Sequence, residues 1–195
     1  MTSTAQKYQL KELNLERTLG GFGRETEREI PVIDLSDFTA RRAEITDQLW
    51  RAATEVGFFQ IANHGLEPAR IRQAFALSER FFALPEARKQ AYLLKEGLNA
   101  GWEFKSQVRP STGTADEKES FQITLPHMDG LWPNQTVVPE FQRVMLDFEY
   151  RAWRLGMDIL SCFADRLGFD RAFFTRAHDR ARPDYQSTLR LLHYL

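Results

Sequence analysis

From Phe141 onward, apolar side chains recur at intervals of 4, 3, 4, 3, 4, 4 and 4, through Met145, Phe148, Ala152, Leu155, Ile159 and Phe163 to Leu167. That spacing keeps one face of a helix apolar, and it predicts a single helix of about 28 residues, about 40 Å long. Gly168 stands where a left-handed cap would end it. An earlier segment has the same character: Ile45, Leu49, Ala52 and Val56 follow at 4, 3 and 4 after possible caps at Ser36, Asp37 and Thr39, and Gly57 closes the pattern. Pro68 suits the first turn of a third helix, whose face is Ala74, Leu77, Phe81 and Leu84. Pro85 breaks it, and a short charged helix to about Tyr92 follows.

Strands are predicted where β-branched and aromatic residues cluster between turn formers. Ile30-Pro31-Val32-Ile33-Asp34-Leu35 reads as an edge strand because of its proline. Phe58-Phe59-Gln60-Ile61-Ala62 ends at Asn63-His64-Gly65, where His64 is expected as a turn residue satisfying backbone groups. Phe121 to Thr124 and Ser187 to Leu195 complete the set. Residues 94–120 and 126–139 read as loops, and the charged run Asp116-Glu117-Lys118-Glu119 as a solvated face. Residues 1–28 lack either periodicity and read as a flexible arm.

The composition narrows the function classes. The chain has 195 residues, is 43% apolar and 27% charged, and carries 26 basic against 27 acidic side chains. A net charge of -1 argues against nucleic acid or an anionic membrane as partner. Fifteen Phe require a sizeable core. The single Cys162 excludes internal disulfides and thiolate-rich zinc sites, and on the long helix it is expected to be a buried, inert thiol. With no apolar leader over Met1 to Leu10 and no long apolar span, the expected location is cytoplasmic. The oligomeric state stays open.

The order of strand, helix, Gly57-Phe58-Phe59-Gln60-Ile61-Ala62-Asn63-His64-Gly65 and helix resembles the N-terminal region of the isopenicillin N synthase-like iron(II) and 2-oxoglutarate-dependent oxygenases. Ile30 to Leu35, Asn99-Ala100-Gly101-Trp102, Glu117-Lys118-Glu119-Ser120-Phe121, Trp132-Pro133-Asn134 and Arg190-Leu191-Leu192-His193-Tyr194 support the likeness in the family's order. It covers about residues 29–195. It implies an α+β chain in which an N-terminal helical and strand region leads into a double-stranded β-helix, or jelly roll. On this basis the chain divides into the arm at 1–28, the family's N-terminal region at 29–140, the long helix and a short one at 141–183, and the first strand of the catalytic jelly roll at 184–195.

The resemblance also implies a dioxygenase that uses Fe(II), 2-oxoglutarate and O₂ to oxidise, most simply to hydroxylate, a small molecule. A His-x-Asp and distal His triad would hold the metal, because three facial ligands leave open positions for cosubstrate and O₂. In the family that triad follows the strand matched by Leu189 to Tyr194, so the expectation is a front portion cut before its metal ligands and inactive alone. No metal ligand or catalytic residue is assigned to the chain. A same-fold iron oxidase without 2-oxoglutarate, and a non-catalytic module that keeps this half, remain as alternatives.

Two groups of residues are candidate binding positions. Arg190 and Tyr194 alternate onto one face of their strand, where the guanidinium could hold a carboxylate of 2-oxoglutarate or substrate. The other arrangement sends Arg190 to solvent, with Leu189 and Leu191 facing the core. Trp102, Glu119 and Phe121 are substrate-pocket candidates through the family's habit of building its wall from these segments. His127-Met128-Asp129, with His178 about 50 residues on, spells a metal triad. Their setting, in a loop and across one long helix rather than on barrel strands, argues against it. Ser187 lacks recognisable His and Asp partners for hydrolase chemistry.

Overall fold

A computed structural model describes residues 29–108 and 113–195. The arm expected at 1–28 lies outside the described residues. Strand β1 (Val32–Asp34) pairs in parallel with β2 (Gln60–Ala62), in register Ile33 to Ile61. Between them runs α1 (Arg42–Arg51), which continues as a π-helical turn over Ala52–Val56. Gly57 ends that turn at φ 88°, donating its N–H to the Ala52 carbonyl at 2.9 Å. Helix α2 (Pro68–Phe82) and the short α3 (Glu86–Lys89) follow.

Strands β3 (Gly101–Phe104), β4 (Lys118–Ile123) and β5 (Leu189–Tyr194) form an antiparallel sheet in the order β3-β4-β5. Helix α4 (Phe141–Leu167) fills the interval between β4 and β5, with the short α5 (Phe173–Ala177) after it. The 27 residues of α4 match the length that its periodicity predicts.

Helix α4 is long enough to serve two cores. Phe141, Val144 and Met145 of its first half pack with Phe81 of α2 and with Phe121 and Ile123 of β4. Phe81, Phe121 and Phe141 are fully buried, and their rings lie 4.6 to 5.6 Å apart, a geometry of edge and tilted contacts. The second half contributes Cys162, Leu155, Ile159 and Phe163 to a smaller core with Ile33, Ile45 and Leu49. Cys162 is 1% exposed, an apolar packing residue.

A carboxylate lies in the first half of α4. Glu149 is buried, accepts bonds from Arg180 and from the Tyr185 hydroxyl, and so ties the segment before β5 to the helix. Burial, and after it the bond to Glu149, push the Tyr185 hydroxyl up to about 12 against a lowering contact from Ser187.

Three expectations are corrected. Residues 94–120 are not all loop: β3 lies inside them, held by pairing with β4 rather than by its own Gly- and Glu-containing composition. Strand β4 begins at Lys118, and Glu119 is 3% exposed, so the charged run does not form a solvated face throughout. Phe58 and Phe59 precede β2 rather than belonging to it, and Phe58 is exposed. His64 behaves as a turn residue, with Nδ1 accepting the Leu66 N–H at 3.1 Å.

Gly101 has a steric reason to be glycine. The Leu93 backbone runs beside β3, with Leu94 donating its N–H to the Trp102 carbonyl at 2.7 Å. A Cβ on Gly101 would stand 2.8 Å from the Leu93 and Tyr92 carbonyl oxygens, and its φ of +111° is one that L side chains rarely adopt. Gly101→Ala is therefore expected to destabilise the chain by about 2 kcal/mol or more. Gly156→Ala, in α4 with nothing near the added carbon, is expected to be neutral or to stabilise by up to about 1 kcal/mol. Urea unfolding of the two variants checks the pair.

Candidate functional site

The three-stranded sheet carries polar clusters on both faces, and the period of two residues decides which side chain joins which cluster. Glu119, Phe121 and Ile123 of β4 stand opposite His193, Leu191 and Leu189 of β5, while Trp102 pairs with Phe121. This face covers the larger core. Ser120 and Gln122 point the other way, beside Glu103 of β3 and Arg190 of β5.

On the core face, Glu119 is almost fully buried and fully occupied. Its Oε2 accepts from Lys89 Nζ at 2.6 Å and from Trp102 Nε1 at 2.7 Å, and its Oε1 lies 2.9 Å from His193 Nδ1. Lys89 is itself buried, and also donates to the Phe82 carbonyl at 2.9 Å, one of the acceptors left open at the end of α2. The ammonium lies 5.2 Å from the Trp102 ring, and the His193 ring stacks on Phe82 at 5.4 Å. Burial pushes the Glu119 carboxyl up, but the bonds from Lys89, His193 and Trp102 outweigh it and hold it below the ordinary glutamate value.

On the opposite face, Glu103 gathers donors. Its Oε1 accepts from Ser120 Oγ at 2.6 Å and from Gln122 and Gln107 Nε2 at 2.9 Å each, and its Oε2 accepts from Ser106 Oγ at 2.5 Å. Gln122 then accepts from Arg190 Nη2 at 2.7 Å. Burial raises the Glu103 carboxyl, and these bonds with the Arg190 charge bring it below its usual value. At the end of the same face Thr124 and Thr188 share a bond of 2.6 Å. Beyond Arg190, Leu192 and Tyr194 are exposed.

The five sequence candidates thus fall into two sets. Trp102, Glu119 and Phe121 are buried together on the core face, as packing and as parts of the Lys89 ion pair. Arg190 and Tyr194 share the other face, with Leu189 and Leu191 toward the core, and only Arg190 joins the polar cluster. Sequence reasoning missed Lys89, Glu103, Ser120, Gln122 and His193. Alternation along Lys118–Ile123 carried a signal for two of them, but the cross-strand register that unites them was not available from spacing.

The fit of a metal is decided by the donors. Among the described residues no group of three His, Cys, Asp or Glu side chains could hold a metal ion. His127, Asp129 and His178 do not assemble one, and His178 Nδ1 instead lies 3.0 Å from Ser187 Oγ. The described residues therefore do not fit iron, and no step through it is derived from them. No helix among them is long and apolar enough to cross a membrane.

A long helix behind an antiparallel sheet, entered through a small parallel β-α-β unit, is an arrangement with known relatives. Residues 30–138 match the family described as the non-haem dioxygenase in morphine synthesis N-terminal region, and the chain belongs to that family. A 2-oxoglutarate-dependent dioxygenase of Didymella fabae is 32% identical over 171 residues, which is 77% of this chain and 50% of that protein. The proline hydroxylase buaE of Petromyces alliaceus is 30% identical over 181 residues, 85% of this chain and 55% of that protein. A full-length protein of Neurospora crassa, solved in complex with alpha-KG, superposes with a TM-score of 0.73 at 23% identity, over 88% of this chain and 56% of that one. The chain spans about half the length of the curated relatives it matches.

Because Glu119 is buried against a single lysine, removing that lysine leaves an uncompensated charge. Lys89→Met is expected to cost about 3–5 kcal/mol in urea unfolding. The pH dependence follows from the lowered carboxyl. The stabilisation that Glu119 contributes is complete above its unfolded value of about 4.3 and is lost as pH falls through the lower folded value. Glu119→Gln is expected to reduce stability at neutral pH and to flatten its decline below about pH 4, measured as unfolding free energy against pH.

Proposed function

We propose that the protein built on this chain is an iron(II)- and 2-oxoglutarate-dependent dioxygenase that uses O₂ to hydroxylate a small organic molecule. The family match over residues 30–138 carries this reading, supported by the relatives named for 2-oxoglutarate-dependent oxygenation and proline hydroxylation. The role of this chain is scaffold and wall. Helix α4 braces the sheet from one side and carries the small β-α-β unit on its second half, and the Glu103–Gln122–Arg190 face supplies a polar lining on the other.

Within that reading, Arg190 is the residue for a carboxylate, belonging to 2-oxoglutarate or to the substrate, and Tyr194 is its neighbour along the face. Gln122 accepts one N–H from the guanidinium at 2.7 Å, which fixes its plane while leaving further donors for a bidentate contact. Trp102, Glu119 and Phe121 act on the pocket from behind, by fixing the positions of β3 and β4.

The test assays the protein as its gene encodes it, supplied with Fe(II), 2-oxoglutarate and a panel of small carboxylic acids and phenols, and follows O₂ uptake and succinate release. Uptake matched by succinate is expected. Uptake without succinate would identify an iron oxidase, and neither would leave a non-catalytic module. Arg190→Met is expected to raise the KM for 2-oxoglutarate, or for a carboxylate substrate, about tenfold with kcat largely kept. Unchanged KM values for both would remove Arg190 from the site.

A further inference from the structure

Glu103 of β3 and Arg190 of β5 lie on either side of β4 and share a face of the sheet, yet they meet only through Gln122. Gln122 stands directly across from Arg190 and diagonally from Glu103, whose own cross-strand partner is Ser120. It is 1% exposed, and both ends of its amide are bonded. Nε2 donates to Glu103 Oε1 at 2.9 Å, and Oε1 accepts from Arg190 Nη2 at 2.7 Å.

These partners leave the amide one orientation. A carboxylate only accepts and a guanidinium only donates, so a turned amide would set its oxygen against Glu103 and its N–H groups against Arg190. Both bonds would then be lost at a buried position. Glu103 is itself held in place, because Oε1 also accepts from Ser120 and Gln107 and Oε2 accepts from Ser106. None of these donors carries a charge. Burial pushes the carboxyl up, but the bonds and the Arg190 charge hold it below its ordinary value, so it is ionised at neutral pH.

By charge alone, Glu103 is unfavourable to an anion site. A carboxylate on the same face repels an anionic ligand, and a face built only to attract one would do better without it. Its bond to Gln122 gives it a different use.

We infer that Glu103 is a positioning residue for the carboxylate site: by fixing the direction of the Gln122 amide, it holds the Arg190 guanidinium in the orientation that meets a ligand carboxylate. The inference rests on the reading of Arg190 as the carboxylate contact. Arg190 is exposed, and its bond to Gln122 through Nη2 leaves further N–H donors for a bidentate contact. Without a fixed amide the guanidinium keeps its charge but samples other rotamers, and a side chain that is ordered only on binding weakens the binding.

The test measures steady-state kinetics of the protein as its gene encodes it, with Fe(II), 2-oxoglutarate and O₂, for whichever carboxylate shows a raised KM in Arg190→Met. Glu103→Gln removes the charge at nearly constant shape, and a neutral amide at 103 no longer excludes the turned orientation of Gln122. Positioning predicts a KM raised about fivefold with kcat within about twofold of the original, whereas relief of repulsion alone would lower KM. In a Gln122→Met background, where the link is cut, the same change is expected to leave KM unchanged or lower it. Glu103→Asp keeps the charge but withdraws it from Gln122 by a methylene, and is expected to raise KM about threefold. It carries the test if the neutral variant does not fold. A KM that stays level or falls in a folded Glu103 variant, or that rises as much without Gln122 as with it, would overturn the assignment while leaving Arg190 in the site. Unchanged KM values in Arg190→Met would instead remove Arg190, and this role of Glu103 with it.

Discussion

A carboxylate with 3% of its side chain exposed has to be surrounded by donors, and Glu119 is surrounded by three, each from a different part of the chain. Lys89 arrives from α3, Trp102 from β3 and His193 from β5. Moving any of them takes a partner from the buried carboxylate, and moving Lys89 leaves its charge uncompensated, so the cluster ties the sheet to α3. Its net contribution to stability is smaller than its geometry suggests, because desolvating both ions offsets most of their attraction. What it supplies is position. Apolar packing of Phe81, Phe121 and Phe141 fills the same core without specifying which turn of α3 meets which strand.

Helix α4 then extends this order over a longer distance. Its first half packs on the sheet and its second on the β1-β2 unit, so one rigid element of 27 residues sets the spacing of two cores that share few contacts otherwise. The left-handed Gly168 at its end and the buried Glu149 in its first half have separate roles. One stops the helix, and the other anchors the segment that leads into β5 through Arg180 and Tyr185. The Arg190 face is thus held from both flanks.

The features legible in the sequence were those with a period or a fixed punctuation. The spacing in α4, Pro68 at the start of α2, Gly57, Gly168 and the β-branched run of β1 each act through local sterics, and each shows in a few consecutive residues. Strand β3 was not legible, because Gly-Trp-Glu-Phe has neither the composition nor the length of a strand and exists through its pairing with β4. Lys89 looked like one more charge on a short polar helix. Nothing within its neighbourhood signals that the chain folds Glu119, thirty residues on, against it. The sequence offers Arg190 and Tyr194 as carboxylate contacts and Trp102, Glu119 and Phe121 as pocket positions, and alternation in the strands places the two groups on opposite faces.

That division has a chemical logic. A sheet with period two can hold one ionic cluster toward the core and a different one away from it using the same few strands, provided each charge finds its partners within its own face. Glu119 is neutralised by a cation that is itself buried. Glu103 instead accepts from hydroxyls and amides, and Arg190 reaches it through Gln122. The arginine is therefore oriented by the network without being consumed by a direct ion pair. An arginine held in place yet not neutralised is the arrangement that a carboxylate ligand requires, since binding then needs no internal salt bridge to break. Where the core face commits its lysine to an ion pair with Glu119, the opposite face holds its arginine through a neutral amide.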